Sequence, residues 1–315
     1  NGVLFNKNEQ EIVQYPASKE DDTYIIPDSV TYIQSHCFSY SQITRCFVLP
    51  QSILTIRPYT FEYCANLVNI MIPDNVRYIE NHAFSHCTRL ETVVLSMNLL
   101  SISSAAFEFC SNLPFILLPE SLTMLSASTF DSCRNLQSIT IPSMIHSIEP
   151  LTFHECLHLE NVTLTDGLVS IFFSSFYSCT SLKRINLPDS VITIDSYVFQ
   201  HCSALDNIII PNLVEEISPY TFSSCSSLKH ISLSNSLISI SSGAFGYCSN
   251  LTDLIIPSQV SRISSYAFQF CSLLDNVIIS NNVNVISSDT FSHCTSLQNI
   301  SLSSSVAIIS NYAFE

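Results

Sequence analysis

The sequence is short of several residue types, and each shortage excludes a class of function. It has only four glycines and 11 basic against 26 acidic residues in 315, a formal net charge of −15. Nucleic acids and anionic membrane surfaces both require positive patches, so neither is predicted as a partner. The few glycines form no glycine-rich phosphate loop. No run of about 18 apolar residues occurs, so no membrane span is predicted.

One residue type recurs with complete regularity. Phenylalanine returns every 23 residues without insertion or deletion, at Phe38, Phe61, Phe84, Phe107, Phe130, Phe153, Phe176, Phe199, Phe222, Phe245, Phe268, Phe291 and Phe314. A fixed period in the twenties predicts a solenoid, in which each coil packs on its neighbours. Because the sequence stops one residue after a repeat phenylalanine, we expect a fragment of a longer protein.

Within one period the spacing of the apolar residues changes. Cys64 and Leu67 follow Phe61 at steps of three, which predicts a short inward-facing helix. Ile70 and Ile72 then alternate with outward positions, which predicts a strand. A proline usually ends this strand, because it offers no N–H for further pairing. Spacing three then returns before the next phenylalanine, so each coil combines a strand with a helix or turn.

The first segment does not follow the repeat. Residues 3–5 and 12–15 flank a polar turn, which predicts a β-hairpin, and an acidic loop with Glu20, Asp21 and Asp22 follows. The sequence therefore predicts an N-terminal hairpin cap and acidic loop over residues 1–22. It predicts a solenoid of about 13 repeats of 23 residues over 23–315.

The repeat Pro-x-x-Val-x-x-Ile-x-x-x-Ala-Phe-x-x-Cys-x-x-Leu-x-x-Ile-x-Ile resembles the 23-residue, treponemal-type class of BspA-like leucine-rich repeats. The resemblance covers roughly residues 23–315. It implies an α/β leucine-rich repeat solenoid, a right-handed curved stack with a parallel β-sheet and with short helices or turns on the other side. It also implies a surface protein of bacteria or trichomonad-type protists, in which adhesion and binding of host proteins are proposed.

Eleven cysteines share the 23-residue step, at Cys64, Cys87, Cys110, Cys133, Cys156, Cys179, Cys202, Cys225, Cys248, Cys271 and Cys294. One interpretation is a ladder of disulfides or metal ligands, since stacked positions fall within disulfide range. The other is a column of reduced core residues, because a free cysteine packs as a small hydrophobe. The cysteines lie between the phenylalanine and leucine columns, which favours the core. Cys46 occupies an outward strand column and is the best candidate for a reactive thiol.

The string His154-Glu155-Cys156-Leu157-His158 matches the His-Glu-x-x-His signature of zinc metalloproteases. A zinc site requires both histidines on one helix face and a third ligand. Here Cys156 falls in a core column and no third ligand is evident, so the sequence favours a chance match. We therefore predict no catalytic residue, no metal site and no cofactor, and a zinc hydrolase is a remote alternative.

Two groups of apolar residues occupy positions that the repeat turns outward. The first is a continuous row in an outward strand column with one aromatic residue beside it: Val48, Met71, Val94, Leu117 and Phe115. The second is the pair Phe172 and Phe173, in columns that serine, glutamate or proline usually fills. Strand propensity alone could select the first row. Exposed apolar patches nevertheless often mark partner sites, so we predict that both groups bind partners.

The sequence therefore favours a non-enzymatic protein-binding or adhesion module at the cell surface or outside the cell. Its partners would be host extracellular or cell-surface proteins, or further copies of itself. Asn161, Asn250 and Asn299 begin N-glycosylation sequons and are expected to be exposed. The alternative is a cytoplasmic structural or cytoskeletal scaffold, because many unpaired cysteines favour a reducing compartment.

Overall fold

The structure, a computed structural model, describes residues 2–315 and consists of short β-strands joined by turns. In chain order the strands are β1 (Leu4–Phe5), β2 (Glu11–Gln14), β3 (Thr23–Ile25), β4 (Tyr32–Ile33), β5 (Cys46–Val48), β6 (Thr55–Ile56), β7 (Asn69–Met71), β8 (Tyr78–Ile79), β9 (Thr92–Val94), β10 (Ser101–Ile102), β11 (Met124–Leu125), β12 (Ser138–Thr140), β13 (Ser147–Ile148), β14 (Asn161–Thr163), β15 (Ser170–Ile171), β16 (Thr193–Ile194), β17 (Asn207–Ile209), β18 (Glu216–Ile217), β19 (His230–Ser232), β20 (Ser239–Ile240), β21 (Asp253–Ile255), β22 (Arg262–Ile263), β23 (Asn276–Ile278), β24 (Val285–Ile286), β25 (Asn299–Ser301) and β26 (Ile308–Ile309).

The chain divides into two compact units. The N-terminal unit contains the described residues through Ile145 together with Leu151–Val162. The C-terminal unit contains His146–Pro150 and Thr163–Glu315. Both units repeat the same 23-residue β-coil, so the predicted leucine-rich repeat solenoid with parallel sheets is confirmed.

Each unit contains two kinds of parallel sheet. The first sheet is built from three-residue strands, in the order β3-β5-β7-β9 in the N-terminal unit and β21-β23-β25 in the C-terminal unit. The second sheet is built from two-residue strands, as in β11-β10-β8-β6 and β18-β20-β22. Paired residues are 23 apart, for example Phe47 with Ile70 and Ile56 with Ile79. Every column of the repeat therefore lies side by side with itself, which keeps one set of side chains buried in all coils.

The N-terminal segment packs against the first coil. β1 and β2 form an antiparallel pair, and β2 continues in parallel with β4. Tyr15 is completely buried, and its ring centroid lies 5.3 Å from that of Phe38 and 5.5 Å from that of Phe47. Its hydroxyl is 2.9 Å from Oγ1 of Thr44. The hairpin thus covers the first ring of the phenylalanine column.

The repeat phenylalanines form the centre of each unit. The twelve rings from Phe38 to Phe291 are at most 1% exposed, whereas Phe314 is 41% exposed. Successive rings within a unit stack with centroids 5.1–5.7 Å apart and planes within 2–11° of parallel. The prediction of a buried aromatic column is confirmed for every coil up to Phe291.

Turns stand where the spacing of three predicts short helices, so the helical part of the prediction is wrong. No helix occurs in residues 2–315. The residues two before and two after each repeat phenylalanine from Phe38 to Phe291 adopt a left-handed conformation, as do Tyr59 (φ +59°) and Tyr63 (φ +56°) around Phe61. A right-handed helix cannot pass through such residues. It follows that no helix of the described chain is long and apolar enough to cross a bilayer.

Hydrogen bonds between coils explain why the turns replace helices. Alternate N–H groups of the turn donate to carbonyl oxygens of the next coil at 2.8–3.0 Å, from Tyr59 to Asn81, Phe61 to Ala83 and Tyr63 to Ser85. The N–H groups between them close turns within their own coil, as from Glu62 to the carbonyl oxygen of Tyr59 at 3.1 Å. A helix would direct all these donors into its own segment. Inward spacing of three is therefore correct for burial but not for secondary structure.

The cysteine column belongs to the core. Thiols of this column donate hydrogen bonds to the carbonyl oxygen of the phenylalanine one coil earlier, as from Cys64 to Phe38 at 3.0 Å and from Cys133 to Phe107 at 3.1 Å. Burial raises the pKa of the Cys64 thiol to about 12, so the thiol keeps the proton that it donates. This ladder of S–H donors explains why cysteine suits the column better than a purely apolar residue of its size.

Candidate functional site

The predicted apolar row lies on the first sheet of the N-terminal unit. Val48, Met71 and Val94 end strands β5, β7 and β9, and the parallel register places Val48 beside Met71 and Met71 beside Val94. Ile25 extends the row by one strand. All four side chains are exposed, Met71 by 66%. They therefore form a continuous apolar surface rather than isolated exposed residues.

In the next coil of the same unit, Leu117 occupies the column of Val94. Phe115 occupies the neighbouring outward column, that of Thr92. Phe115 forms a single parallel bridge with Ser138, and both Phe115 and Leu117 are exposed, Leu117 by 83%. We call the set of six residues the apolar strip: Ile25, Val48, Met71, Val94, Phe115 and Leu117. Contiguous exposed apolar surface of this kind commonly marks an interaction site.

A groove of about 480 Å³ follows the apolar strip across β5, β7 and β9. Cys46, Asn69 and Thr92, which begin these strands, form one side, and Gln51 and Pro73 line its end. No charged side chain lines the groove. Burial raises the pKa of the Cys46 thiol, and the nearby Asp22 carboxylate raises it further. The groove can therefore hold apolar side chains of a partner, with a few neutral polar groups to fix their position.

Phe172 and Phe173 do not join the apolar strip. They follow β15 in the C-terminal unit, and the ring of Phe173 lies edge-on to Tyr197 with centroids 5.5 Å apart. Tyr197 in turn stacks on Tyr220 at 5.2 Å. Phe173, which is exposed, thus joins a row of rings on the turn side of the coils, whereas Phe172 is partly buried.

The N-terminal unit contains two similar rows of rings that the sequence analysis does not predict. Two rows of stacked rings flank the buried phenylalanines, with centroids 4.3–5.0 Å apart: His36, Tyr59 and His82 in one, and Tyr40, Tyr63, His86 and Phe109 in the other. Carboxylates lie beside the first row, since Nδ1 of His82 is 3.5 Å from Oε2 of Glu108. The 23-residue step at positions two before and two after each phenylalanine would have located both rows.

The His-Glu-x-x-His string forms a turn, and its histidines are engaged elsewhere. Nδ1 of His154 lies 2.9 Å from Oδ1 of Asp131, and Nδ1 of His158 lies 2.8 Å from the carbonyl oxygen of Arg134. Glu155 is left-handed and pairs with Arg134 at 2.8 Å. The geometry lacks the helix that a zincin site needs. Across residues 2–315, no group of three or more His, Cys, Asp and Glu side chains could hold a metal ion.

The sequon asparagines differ in exposure. Asn161 and Asn299 begin β14 and β25 and are exposed, whereas Asn250 is partly buried in a turn. The expected exposure therefore holds fully for two of the three positions.

Solved structures with the same fold include several bacterial leucine-rich repeat proteins. A leucine-rich repeat protein from Bacteroides ovatus is 23% identical with a TM-score of 0.64, over 95% of this chain and 93% of that chain. A leucine rich cell surface protein from Faecalibacterium prausnitzii is 24% identical with a TM-score of 0.52, over 95% and 92%. The pneumococcal vaccine antigen PcpA is 21% identical with a TM-score of 0.54, over 96% and 78%. At these identities the likeness shows the fold alone.

No curated protein sequence matches the chain. The family model for the BspA type leucine-rich repeat region, which contains six copies of the repeat, matches residues 18–134, 123–224 and 193–315. These matches extend over nearly the whole chain and agree with the 23-residue coil seen in the structure. The chain therefore belongs to the BspA-type leucine-rich repeat family.

Proposed function

We propose that the chain is a non-enzymatic protein-binding module, and that the apolar strip holds an apolar segment of a partner protein. The observation that carries the proposal is the unbroken row of exposed apolar side chains across β3, β5, β7 and β9. Burial of one such side chain contributes about 1.5–3 kcal/mol. Burial of several such side chains together can offset the cost of association, which is about 4–15 kcal/mol.

Charge favours a partner that is basic around its apolar segment. The chain has a net charge of −15, while the groove itself carries no charged lining residue. Near the edge of the first sheet, Asp22 and Arg45 partly neutralise each other at 4.0 Å. The acidic surface then supplies long-range attraction. The apolar strip supplies the free energy gained by burying apolar surface. Such binding weakens as salt screens the charges.

We place the module at the cell surface or outside the cell, with a host extracellular or cell-surface protein as its partner. Family membership and the fold shared with a bacterial cell surface protein support this placement. The exposed sequon asparagines Asn161 and Asn299 are compatible with it. A glycan on either residue of the natural protein would support secretion. The competing scaffold hypothesis predicts bare asparagines and reduced thiols throughout.

A bait comparison tests the role of the apolar strip. The double variant Met71→Asp with Val94→Asp charges the centre of the strip without touching an inward column. The control is Thr140→Asp, which changes the same outward column on β12, where the side chain is already polar. Wild type, double variant and control are used as baits for surface proteins, and each captured protein is purified and its affinity measured.

We expect the double variant to lose at least about tenfold in affinity for the specific partner, since a buried unpaired carboxylate is costly. The control should bind as wild type does. Equal affinity of all three baits would refute the role of the strip. Sedimentation of the chain alone tests self-association. If wild type forms a dimer and the same double variant is a monomer, the partner is a second copy of the chain.

A further inference from the structure

Two of the chain's four glycines lie three residues apart in one coil, at Gly243 and Gly246. Neighbouring coils of the C-terminal unit have larger side chains in these columns, namely Tyr220 and Tyr266 in the first and Ser223 and Gln269 in the second. The two glycines line a notch of about 290 Å³ beside the row of rings on the turn side. This volume is near the lower end of the range for ligand pockets and suits a single ring.

Three tyrosines, Tyr220, Tyr247 and Tyr266, form the walls of the notch. Two of them stack on other aromatic rings. Tyr220 stacks on Tyr197 with centroids 5.2 Å apart, and Tyr247 stacks on Phe270 at 4.6 Å with planes 12° apart. All three walls retain exposed surface, and Tyr247 is 51% exposed. The walls are therefore preorganised and accessible.

Space, rather than backbone conformation alone, requires glycine at position 243. Gly243 is left-handed (φ +61°), but Ser128 and Ser174 adopt φ of +57° and +52° at the same column of other coils. A Cβ at position 243 would lie 2.5 Å from Cδ1 and 3.2 Å from Cζ of Tyr220. The ring of Tyr220 thus occupies the place that a side chain would take, so glycine at position 243 lets this ring form a wall of the notch.

The polar groups at the notch are neutral. Ser223 and Gln269 complete its lining, and no charged side chain takes part. The hydroxyl of Ser223 and the amide of Gln269 can donate and accept hydrogen bonds. Backbone carbonyl oxygens of Gly243, Tyr266 and Gln269 also lie within 4 Å of the position that a Cβ on Gly246 would occupy. The notch thus combines apolar ring surface with hydrogen-bonding groups that carry no charge.

We propose that this notch binds one neutral pyranose residue of a carbohydrate. A pyranose presents C–H groups to aromatic rings and hydroxyl groups to neutral donors and acceptors, which matches the lining. An anionic sugar would meet a strongly acidic protein with no basic residue at the notch. A proline or aromatic side chain of a peptide would leave the polar groups of Ser223 and Gln269 unpaired. The site lies in the C-terminal unit and is independent of the apolar strip.

Saturation-transfer NMR on the full chain tests the proposal, with methyl glycosides of glucose, galactose, mannose and N-acetylglucosamine as probes. We expect at least one probe to receive saturation, chiefly at C–H groups of one ring face. Tyr247→Ser and Gln269→Ala should each weaken that binding several-fold. Gly243→Ser should abolish it by displacing Tyr220 into the notch.

The matched control is Tyr63→Ser, which changes the same column as Tyr247 in the N-terminal unit and should leave binding unchanged. Thermal unfolding checks that each variant is folded, and Gln269→Ala keeps the test valid if Gly243→Ser disturbs its coil. If an oligosaccharide ending in the same sugar binds more strongly than the methyl glycoside, the natural ligand is a glycan. If the two bind equally, the natural ligand is a single sugar. Both results support the proposal.

Three results would overturn it. The first is no saturation of any methyl glycoside. The second is binding that Tyr247→Ser and Gln269→Ala both leave unchanged. The third is displacement of the sugar signal by phenylalanine or proline amides at equal or lower concentration, which would identify the notch as a site for peptide side chains.

Discussion

The two units share their inward columns and differ in their outward ones. In both, phenylalanine, cysteine and leucine fill the same buried positions of the coil. On the first sheet, the N-terminal unit presents Ile25, Val48, Met71, Val94 and Leu117 in one outward column, whereas the same column of the C-terminal unit reads Asn186, Ile209, Ser232, Ile255 and Ile278. The comparison teaches that the buried columns set the fold while the outward columns are free to carry function.

The turn side shows the same contrast. In the column two residues before each repeat phenylalanine, the N-terminal unit carries three stacked rings, His36, Tyr59 and His82. In the same column of the C-terminal unit, Gly243 interrupts a row of tyrosines and lines the tyrosine-walled notch. One repeated backbone therefore supports an apolar strip in one unit and a small tyrosine-walled notch in the other.

The largest expected effect tests whether the shared columns are equivalent. Phe61→Ala in the N-terminal unit and Phe222→Ala in the C-terminal unit each remove a buried ring from the stack. Each should lower the free energy of unfolding of its region by about 3–5 kcal/mol through the cavity left behind. Urea unfolding followed by hydrogen exchange measures the loss in each unit. A loss below about 1 kcal/mol in either unit would mean that its rings do not form the core.

A smaller effect is expected along the cysteine column. Cys133→Ala and Cys225→Ala each remove a thiol that donates to a phenylalanine carbonyl oxygen at 3.1 Å. Each should cost about 1–2 kcal/mol, from the lost hydrogen bond and a small void. The serine variants retain a donor and should cost less. Serine variants that are less stable than the alanine variants in urea unfolding would show that the hydrogen bond contributes little.

The pH dependence of stability should separate the units, because His154 and Asp131 form a pair in the N-terminal unit. The hydrogen bond to Asp131 raises the pKa of His154 in the folded state. The pair therefore stabilises fully below the unfolded-state pKa of about 6.5, and this stabilisation is lost as pH rises through the folded-state value. We expect roughly 0.5–1 kcal/mol, measured by urea unfolding between pH 5 and 8.

Asp131→Asn is the control for this pH dependence. It removes the carboxylate, so the loss of stability with rising pH should flatten in the N-terminal unit. The C-terminal unit should respond to pH as it does in wild type. An unchanged pH profile in the variant would assign the dependence to other groups.

The smallest effect is a difference in thiol reactivity. Cys46 is partly exposed in the groove, and burial raises its pKa, whereas Cys225 is completely buried in the C-terminal unit. Alkylation of Cys46 should be slow near pH 7 and should accelerate up to about tenfold per pH unit as the thiolate forms. Cys225 should stay unlabelled in the folded protein. Mass spectrometry after timed alkylation measures both, and faster labelling of Cys225 would contradict the assigned burial.

The sequence predicts the buried columns well because every coil repeats the same constraint. The positions of Phe61, Cys64 and Leu67 follow from periodicity alone, and all three are completely buried. The helix is predicted wrongly because spacing of three is also satisfied by turns. Tyr59 and Tyr63 are left-handed without being glycine, and their N–H groups bond to another coil. A pattern within one repeat does not record bonds between repeats.

The sites were only partly predictable for a similar reason. The apolar strip is visible in the sequence because five of its six residues share one column. The notch depends on two absent side chains and on tyrosines from neighbouring coils, so it emerges only when coils are aligned and Gly243 and Gly246 are compared with their columns. The position of Asn250 in a tight turn, which leaves it partly buried, depends on local packing that the sequon does not encode.

The most direct test of the central claim compares the same outward column in the two units. The affinity of a purified partner is measured for wild type, for Met71→Asp with Val94→Asp, and for Ile255→Asp with Ile278→Asp, which adds equal charge to the first sheet of the C-terminal unit. The account predicts at least about a tenfold loss for the N-terminal pair, from burial of unpaired carboxylates, and near wild-type affinity for the C-terminal pair. Equal losses, or a loss confined to the C-terminal pair, would contradict it.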